Sequence, residues 1–304
     1  MSLTPRQSLL LVLLTLTWGL NWPVMKLGVT GFPPLTFRSL SMWLGLPVLF
    51  AVTRWMKADL RIPHRDWPEV AKLTLTNMLV WHTVSILAVQ ALSSGRAAIL
   101  GYTMPIFSAV WGRALFGERL TARQRIGIAA AAVGVALLLW HELAQIAGRP
   151  WGAFGMLVAA AAWGLGTQQM RRTHLAASTI ALSWWMTVIT TVVVTLLAAI
   201  IERDRWHAPP PAIWFSVGYN ALLVFGFSQP VWLVLARTLP PAASSLSVMM
   251  IPVLGALSGA WWLGESLHWQ DGAAIVLMGA AIASVLWPRR ISAGAGTDRR
   301  SPAP

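Results

Sequence analysis

Cysteine is absent from all 304 residues. Disulfide frameworks, Cys-based zinc or iron–sulfur sites and cysteine nucleophiles are excluded together. Charge is scarce too: 11% of residues are Asp, Glu, Lys or Arg, against about 25% in a soluble domain. Acids are the scarcest, with 10 Asp and Glu against 23 Lys and Arg and a formal net charge of +13. So few polar groups cannot cover the surface of a soluble protein of this length. Two tyrosines stand beside 19 tryptophans, and 56% of the chain is hydrophobic. The composition is that of a polytopic membrane protein. A basic excess can also serve nucleic acid, but that use places Lys and Arg on one hydrated face among stacking aromatics. Here the bases form short clusters between long apolar runs. Gly-x-x-x-x-Gly-Lys-Ser/Thr, His-Glu-x-x-His and Gly-x-Ser-x-Gly are all missing, so nucleotide hydrolysis, zinc-protease and serine-hydrolase chemistry have no motif to stand on. We expect no enzyme activity, no cofactor and no metal.

A membrane-crossing helix needs about 20 mostly apolar residues. Ten such runs are bounded by charges, Pro/Gly or polar clusters, at 7–28, 35–53, 68–90, 94–116, 122–141, 150–170, 177–201, 212–236, 242–263 and 269–287. The first run is long and has no small-x-small cleavage pattern, so it is expected to remain as a helix. The stretch 291–304 lacks apolar residues and is expected to be a disordered cytoplasmic tail. Lys and Arg near helix ends set orientation. With the N-terminus inside, sixteen bases fall on the inner side, from Arg6 through Arg54, Lys57, Arg61, Arg65, Arg113, Arg119, Arg123, Arg125, Arg171, Arg172, Arg237 and Arg289 to Arg290, Arg299 and Arg300. Only Arg96, Arg149, Arg203 and Arg205 fall outside, while Lys26, Arg38 and Lys72 lie within run ends. Both termini are therefore expected in the cytoplasm of a multi-pass protein of the bacterial inner membrane.

The chain repeats itself. Met104-Pro105 … Gly117-Glu118 recurs as Ile251-Pro252 … Gly264-Glu265, and at the same offset Ser108 and Gly112 fall on Gly255 and Gly259. Trp18-Gly19-Leu20 recurs as Trp163-Gly164-Leu165. Two five-run halves follow, 1–145 and 146–290, and an odd number of crossings inverts the second relative to the first. The loop 117–125 carries three Arg, whereas its counterpart 264–272 carries no Lys or Arg, the opposite charge bias that inversion requires. The expected fold is an all-α membrane protein of ten transmembrane helices, two inverted five-helix repeats around a central cavity. Inverted repeats mark secondary transporters, with substrate near the midplane between halves.

The candidate site follows from depth and pairing. All ten acids lie in loops or at run ends, so no carboxylate is available mid-membrane to carry a proton or Na⁺. This favours facilitated diffusion or exchange over ion coupling. His82, deep in the third run, is the ionisable exception. It is open to substrate contact, to proton relay or to a purely structural hydrogen bond. Gln229 lies at offset 147 from His82, and Asn21, Asn77 and Asn220 add amides that either meet substrate or tie helices together. Met78 and His82, four apart, would share a helix face. Trp18 and Trp163 are the repeated aromatic pair; facing each other across the two-fold axis they would wall a flat or apolar substrate, and plain core packing is the rival. Tyr102 is a further deep aromatic. Pro105 and Pro252 interrupt the backbone ladder at matched depths, as hinges or as static kinks. The runs 122–141 and 269–287 are dense in Gly and Ala, suited to close packing or to a dimer contact, so the chain is expected as a monomer or a weak dimer through them.

These motifs, Trp-Gly-Leu-Asn early in the first run and the paired Met-Pro … Gly-Glu and Ile-Pro … Gly-Glu blocks, resemble the EamA-type carriers of the drug/metabolite transporter superfamily. Over about residues 8–288 the chain is most similar to their YddG-type bacterial inner-membrane exporters of aromatic amino acids. The resemblance implies a cavity lined by helices 1–4 and 6–9, alternating access and export of amino acids or related metabolites. It also implies an aromatic cavity that Trp18, Trp163 and Tyr102 would supply, with Asn21, Met78, His82 and Gln229 as further substrate contacts. Small-molecule substrate and the lipid bilayer are the expected partners. Drug efflux, disfavoured by the missing deep carboxylate, and a non-transporting receptor of the same fold are the other readings.

Overall fold

The computed structural model describes residues 4–144, 150–238 and 241–286, and every regular element in them is helical. The expected tail 291–304 lies outside the described residues.

Among the described residues, ten helical stretches follow the ten apolar runs. They are α1 (Pro5–Val29), α2 (Pro34–Trp55), α3 (67–91), α4 (94–116), α5 (Ala122–Ala144), α6 (Pro150–Met170), α7 (Thr179–Ile201), α8 (211–238), α9 (Pro241–Leu263) and α10 (Trp269–Leu286). Among the described residues α1, α2, α3, α7 and most of α8 are long and apolar enough to cross a membrane by length and composition alone. Local signals start and stop the helices. Thr4 and Gln7 form a reciprocal capping box at α1, and the Ser93 and Ser178 hydroxyls accept amides at the starts of α4 and α7. Gly117 and Gly264 end α4 and α9 in the left-handed conformation, φ 68° and 65°, where glycine escapes the Cβ penalty.

Two helices are uneven inside. In α3 the stretch Leu75–Leu79 is π-helical, and in α8 the stretch Asn220–Ser228 is π-helical, at corresponding places in the two halves. The matched prolines behave differently. Pro105 opens the second segment of α4, Met104–Phe116, after a break at Tyr102–Thr103, whereas Pro252 lies inside an uninterrupted α9. Membrane helices tolerate such an interior proline when neighbours re-satisfy the freed backbone.

The packing has a two-fold pattern. Helix α1 packs on α9 and α8, and α6 packs correspondingly on α4 and α3. Helix α2 packs on α8 while α7 packs on α3; α2–α7 and α5–α10 are self-related pairs. The repeated glycines explain two of these interfaces. A β-carbon on Gly19 would stand 2.6 Å from Leu254 of α9, and one on Gly164 would stand 2.9 Å from Phe107 of α4. Leu254 and Phe107 are themselves 147 residues apart, so the glycine of Trp-Gly-Leu is the close-approach point of one interface in each half. Without a hydrophobic drive between helices in lipid, such small-residue contacts supply the packing. The small-residue stripes of α5 and α10 are consumed in the same way: Gly127 meets Ser284, and Gly134 meets Leu277 and Ala274. These small-residue faces thus meet each other inside one chain.

Candidate functional site

The Gly-Glu motif is a helix stop that aims a carboxylate. The Glu118 amide donates to the Gly112 carbonyl at 2.9 Å and the Glu265 amide to Gly259 at 3.4 Å. A β-carbon on Gly112 or Gly259 would collide with Oε2 of the same glutamate, at 2.3 and 2.5 Å. The second small residue of each Ser/Gly-x-x-x-Gly pair therefore makes room for a folded-back side chain. The two carboxylates then differ. Glu265 caps the start of α4, accepting from the Ser94 amide and hydroxyl, both at 2.7 Å. Glu118 instead pairs with Arg172, after α6, at 2.5 Å. Beside Glu265, Arg96 and Asp271 form an ion pair at 3.0 Å with side chains 12% and 4% exposed. At the end of α7, Glu202 likewise caps α2 by accepting from the Leu35 and Thr36 amides at 3.0 and 2.7 Å. A carboxylate at a helix N-terminus satisfies orphan amides and complements the helix dipole.

Polar groups converge where the π-helical segments cross the interior. A π turn, bonding residue i to i+5, recurs at functional sites in helices. It places Asn220 and Phe225 in line on α8. Asn220 accepts from Arg38 Nη1 of α2 at 3.4 Å, and the Phe225 ring lies 5.5 Å from the His82 ring of α3. Arg38 Nη2 also donates to the sulfur of Met25 on α1 at 3.0 Å. Asn21, Asn77, His82 and Arg38 are all buried, yet Asn21 Oδ1, Asn77 Nδ2, His82 Nδ1 and Arg38 Nε have no hydrogen-bond partner. Unsatisfied buried polar atoms are costly, so these atoms are candidates for contact with a bound molecule.

The expected aromatic pair does not meet. Trp18 lies against Trp232 of α8 at 5.6 Å, and Trp163 lies against Trp81 of α3 at 5.3 Å, edge to face. The tryptophans keep their repeat positions, but their neighbours on α3 and α8 are not repeated: a Trp stands at 81 and at 232, and Ser228 and Ser85 occupy the offset-147 counterparts. Tyr102, at the break in α4, packs on Trp22 at 6.3 Å, and Trp22 and Trp81 both border Gly101. Trp22–Tyr102 and Trp81–Trp163 thus make an array of two aromatic pairs, bordering Gly101 and reaching from α1 to α6. Met78 and His82 are separated too. Met78, inside the π segment, joins Leu73, Leu182 and Met186 between α3 and α7, whereas His82, beyond that segment, faces α8. Gln229, first residue after the π segment of α8, is half-buried.

Sequence reading placed Arg38 at a run end; it is 2% exposed and inside the polar cluster. A base four residues into an apolar run, with no acid at matching depth, was the available signal. Lys26, its neighbour in that reading, donates to the Val89 and Gln90 carbonyls at 3.2 and 2.9 Å and so caps the end of α3. An open cleft of about 1040 Å³ lies at the α2–α3 turn, lined by Arg54, Lys57, Arg61, Trp67 and Trp185 among others. None of the expected site residues lines it. The polar cluster itself is closed, with Asn21, His82 and Tyr102 each at 8% exposure.

Comparison with known proteins agrees with this architecture. The model of the EamA-like transporter family matches residues 6–140 and 150–287. The uncharacterized transporter YoaV of Bacillus subtilis (strain 168) is 27% identical over 273 residues, 88% of this chain and 90% of the relative. The uncharacterized inner membrane transporter YedA of Escherichia coli (strain K12) is 26% identical over 256 residues, covering 84% and 82%. A probable amino-acid metabolite efflux pump of Salmonella typhimurium is 25% identical over 289 residues, covering 91% and 93%. With both five-helix stretches matched almost end to end, the chain belongs to the EamA-like transporter family.

Proposed function

We propose that this chain is an inner-membrane secondary transporter exporting amino acids, aromatic and other apolar ones favoured, by alternating access as facilitated diffusion or exchange. The observation that carries the reading is the juxtaposition of two surfaces. Buried polar atoms without partners come from α1, α2 and α3, beside an aromatic array that spans α1, α3, α4 and α6. A zwitterionic head group needs the first and an apolar or aromatic side chain needs the second. The efflux-pump name carried by the Salmonella relative supports the same substrate class. Within this reading 1–145 and 146–290 are the two inverted repeats, both termini are cytoplasmic, and Trp18, Asn21, Met78, His82, Tyr102, Trp163 and Gln229 are substrate contacts. The α4 break at Pro105 bends during access, and Pro252 is its weaker counterpart.

The test is counterflow in proteoliposomes with labelled phenylalanine or tryptophan, with and without a pH gradient. We expect saturable exchange that is insensitive to the gradient. In Trp163→Ala, exchange should fall about two- to tenfold, because an aromatic pair contributes about 0.5–1.5 kcal/mol beyond its buried area. Absence of flux for any amino acid in the panel would end the proposal.

A further inference from the structure

Arg38 is a cation in the wrong company. Its side chain is 98% withdrawn from solvent, yet its two hydrogen bonds go to neutral groups, Asn220 Oδ1 and the Met25 sulfur, and its Nε has no partner. Among the described residues no carboxylate lies within ion-pair distance of it. Two other bases set into apolar runs are engaged: Lys26 on the carbonyls ending α3, and Arg96 with Asp271. Removing a guanidinium from water without a counter-charge is among the most expensive things a helix bundle can do. The cost is relieved when an anion with two oxygens arrives, since a guanidinium offers a planar fork that matches a carboxylate.

The surroundings suit one end of a small molecule. Asn21 lies one turn below Met25 on α1, and its Oδ1 has no donor; the His82 ring, packed on Phe225, also has a bare nitrogen. Unpaired polar atoms thus lie on the helices that neighbour α2. The π segment of α8 brings Asn220 against Arg38 and Phe225 against His82, so the cluster is held from four helices.

We propose that Arg38 is the specificity-determining group of the transport site: its guanidinium binds the carboxylate of the cargo, so a transported molecule must carry one. The assignment rests on the amino-acid reading above and narrows it. Amines and amides of the same side chain are excluded, whereas carboxylates lacking the amino group still bind.

Two readouts separate this assignment from the reading beneath it. The first is tryptophan counterflow by the intact protein, which tests amino-acid transport. The second is the thermal shift of the detergent-solubilised protein with tryptophan, indole-3-propionate, tryptophanamide and tryptamine. The two carboxylates should raise the melting temperature and the amide and amine should not. In Arg38→Gln the carboxylate shift should vanish and tryptophan affinity should fall more than about tenfold, as expected for losing a charge-assisted pair. Arg38→Lys, which keeps the charge, should recover part of the shift; it also serves if the glutamine variant does not fold. Flux together with equal shifts for tryptophan and tryptophanamide in the wild type overturns the assignment and leaves transport standing. Carboxylate-specific shifts without any flux support Arg38 and end the transport reading. An unchanged tryptophan affinity in a folded Arg38→Gln protein overturns the assignment outright.

Discussion

A β-carbon added at Gly164 would stand 2.7 Å from the Ser108 amide nitrogen and 2.9 Å from the Met104 carbonyl oxygen. Both are backbone atoms, so the clash is relieved only by moving α6 away from α4. At Gly19, the repeat counterpart, the nearest atom is the Leu254 β-carbon at 2.6 Å, which side-chain rotation does not move. Gly164→Ala and Gly19→Ala should therefore each destabilise by about 1–3 kcal/mol, as overpacking against fixed atoms does. Thermal unfolding of the two variants in detergent, followed by tryptophan emission, checks this; an unchanged melting temperature in either would contradict it. The Trp-Gly-Leu repeat was plain in the sequence, and so was the depth of its tryptophans. Their partners were not. Trp81 and Trp232 lack counterparts in the opposite half, so repeat logic carried Trp18 and Trp163 toward each other when unrepeated neighbours were the ones they met. Arg38 was misplaced for a related reason. Distance along the chain put it near a helix end, but a guanidinium on three methylenes reaches well beyond its Cα.

The ten helices were legible because hydropathy and helix stops are local signals. The break in α4 beside Pro105 was legible on the same grounds. The π segments were not, since a change from i+4 to i+5 bonding leaves no mark on composition; it shows only in which side chains end up together, as Met78 and His82 do not. The carboxylate caps were hidden for a different reason. Glu202 and Glu265 cap helices of the other half, more than 160 residues away along the chain. The Glu265 cap makes a prediction at this level. Glu265→Gln should weaken the join between the end of α9 and the start of α4 by about 0.5–2 kcal/mol, the usual worth of an N-terminal cap. Because the chain has no cysteine, Ala97→Cys is a clean reporter: Ala97 is fully buried on the first segment of α4. Its maleimide labelling should speed up about two- to thirtyfold in the Glu265→Gln background. No change in rate would mean that the cap does not hold this end closed.

The largest interfaces all join one half to the other, as α5 on α10, α1 on α9, α2 on α7 and α6 on α4 do. Neither half completes its own packing. Residues 1–145 or 146–290 expressed alone should fail to give a monodisperse species in size-exclusion chromatography, while the two co-expressed should assemble and regain counterflow; a stable, folded single half would contradict the interleaved packing. At this scale the sequence announced the repeated plan through offsets of 145 and 147 residues between matched motifs. One of the features that does obey it, the pair of π-helical segments, has a mechanical implication. An α-helix turns by about 100° per residue, and a π segment stores one surplus residue between two regular stretches. Were that surplus to travel along α3 by a turn, every side chain it passed would swing about a third of the way round the axis. The end held by Lys26 at Val89 and Gln90 would stay where it is. Like a ruck pushed along a carpet, such a shift in α3 would re-aim His82, and its equivalent in α8 would re-aim Gln229, while both floors of the bundle remain in place.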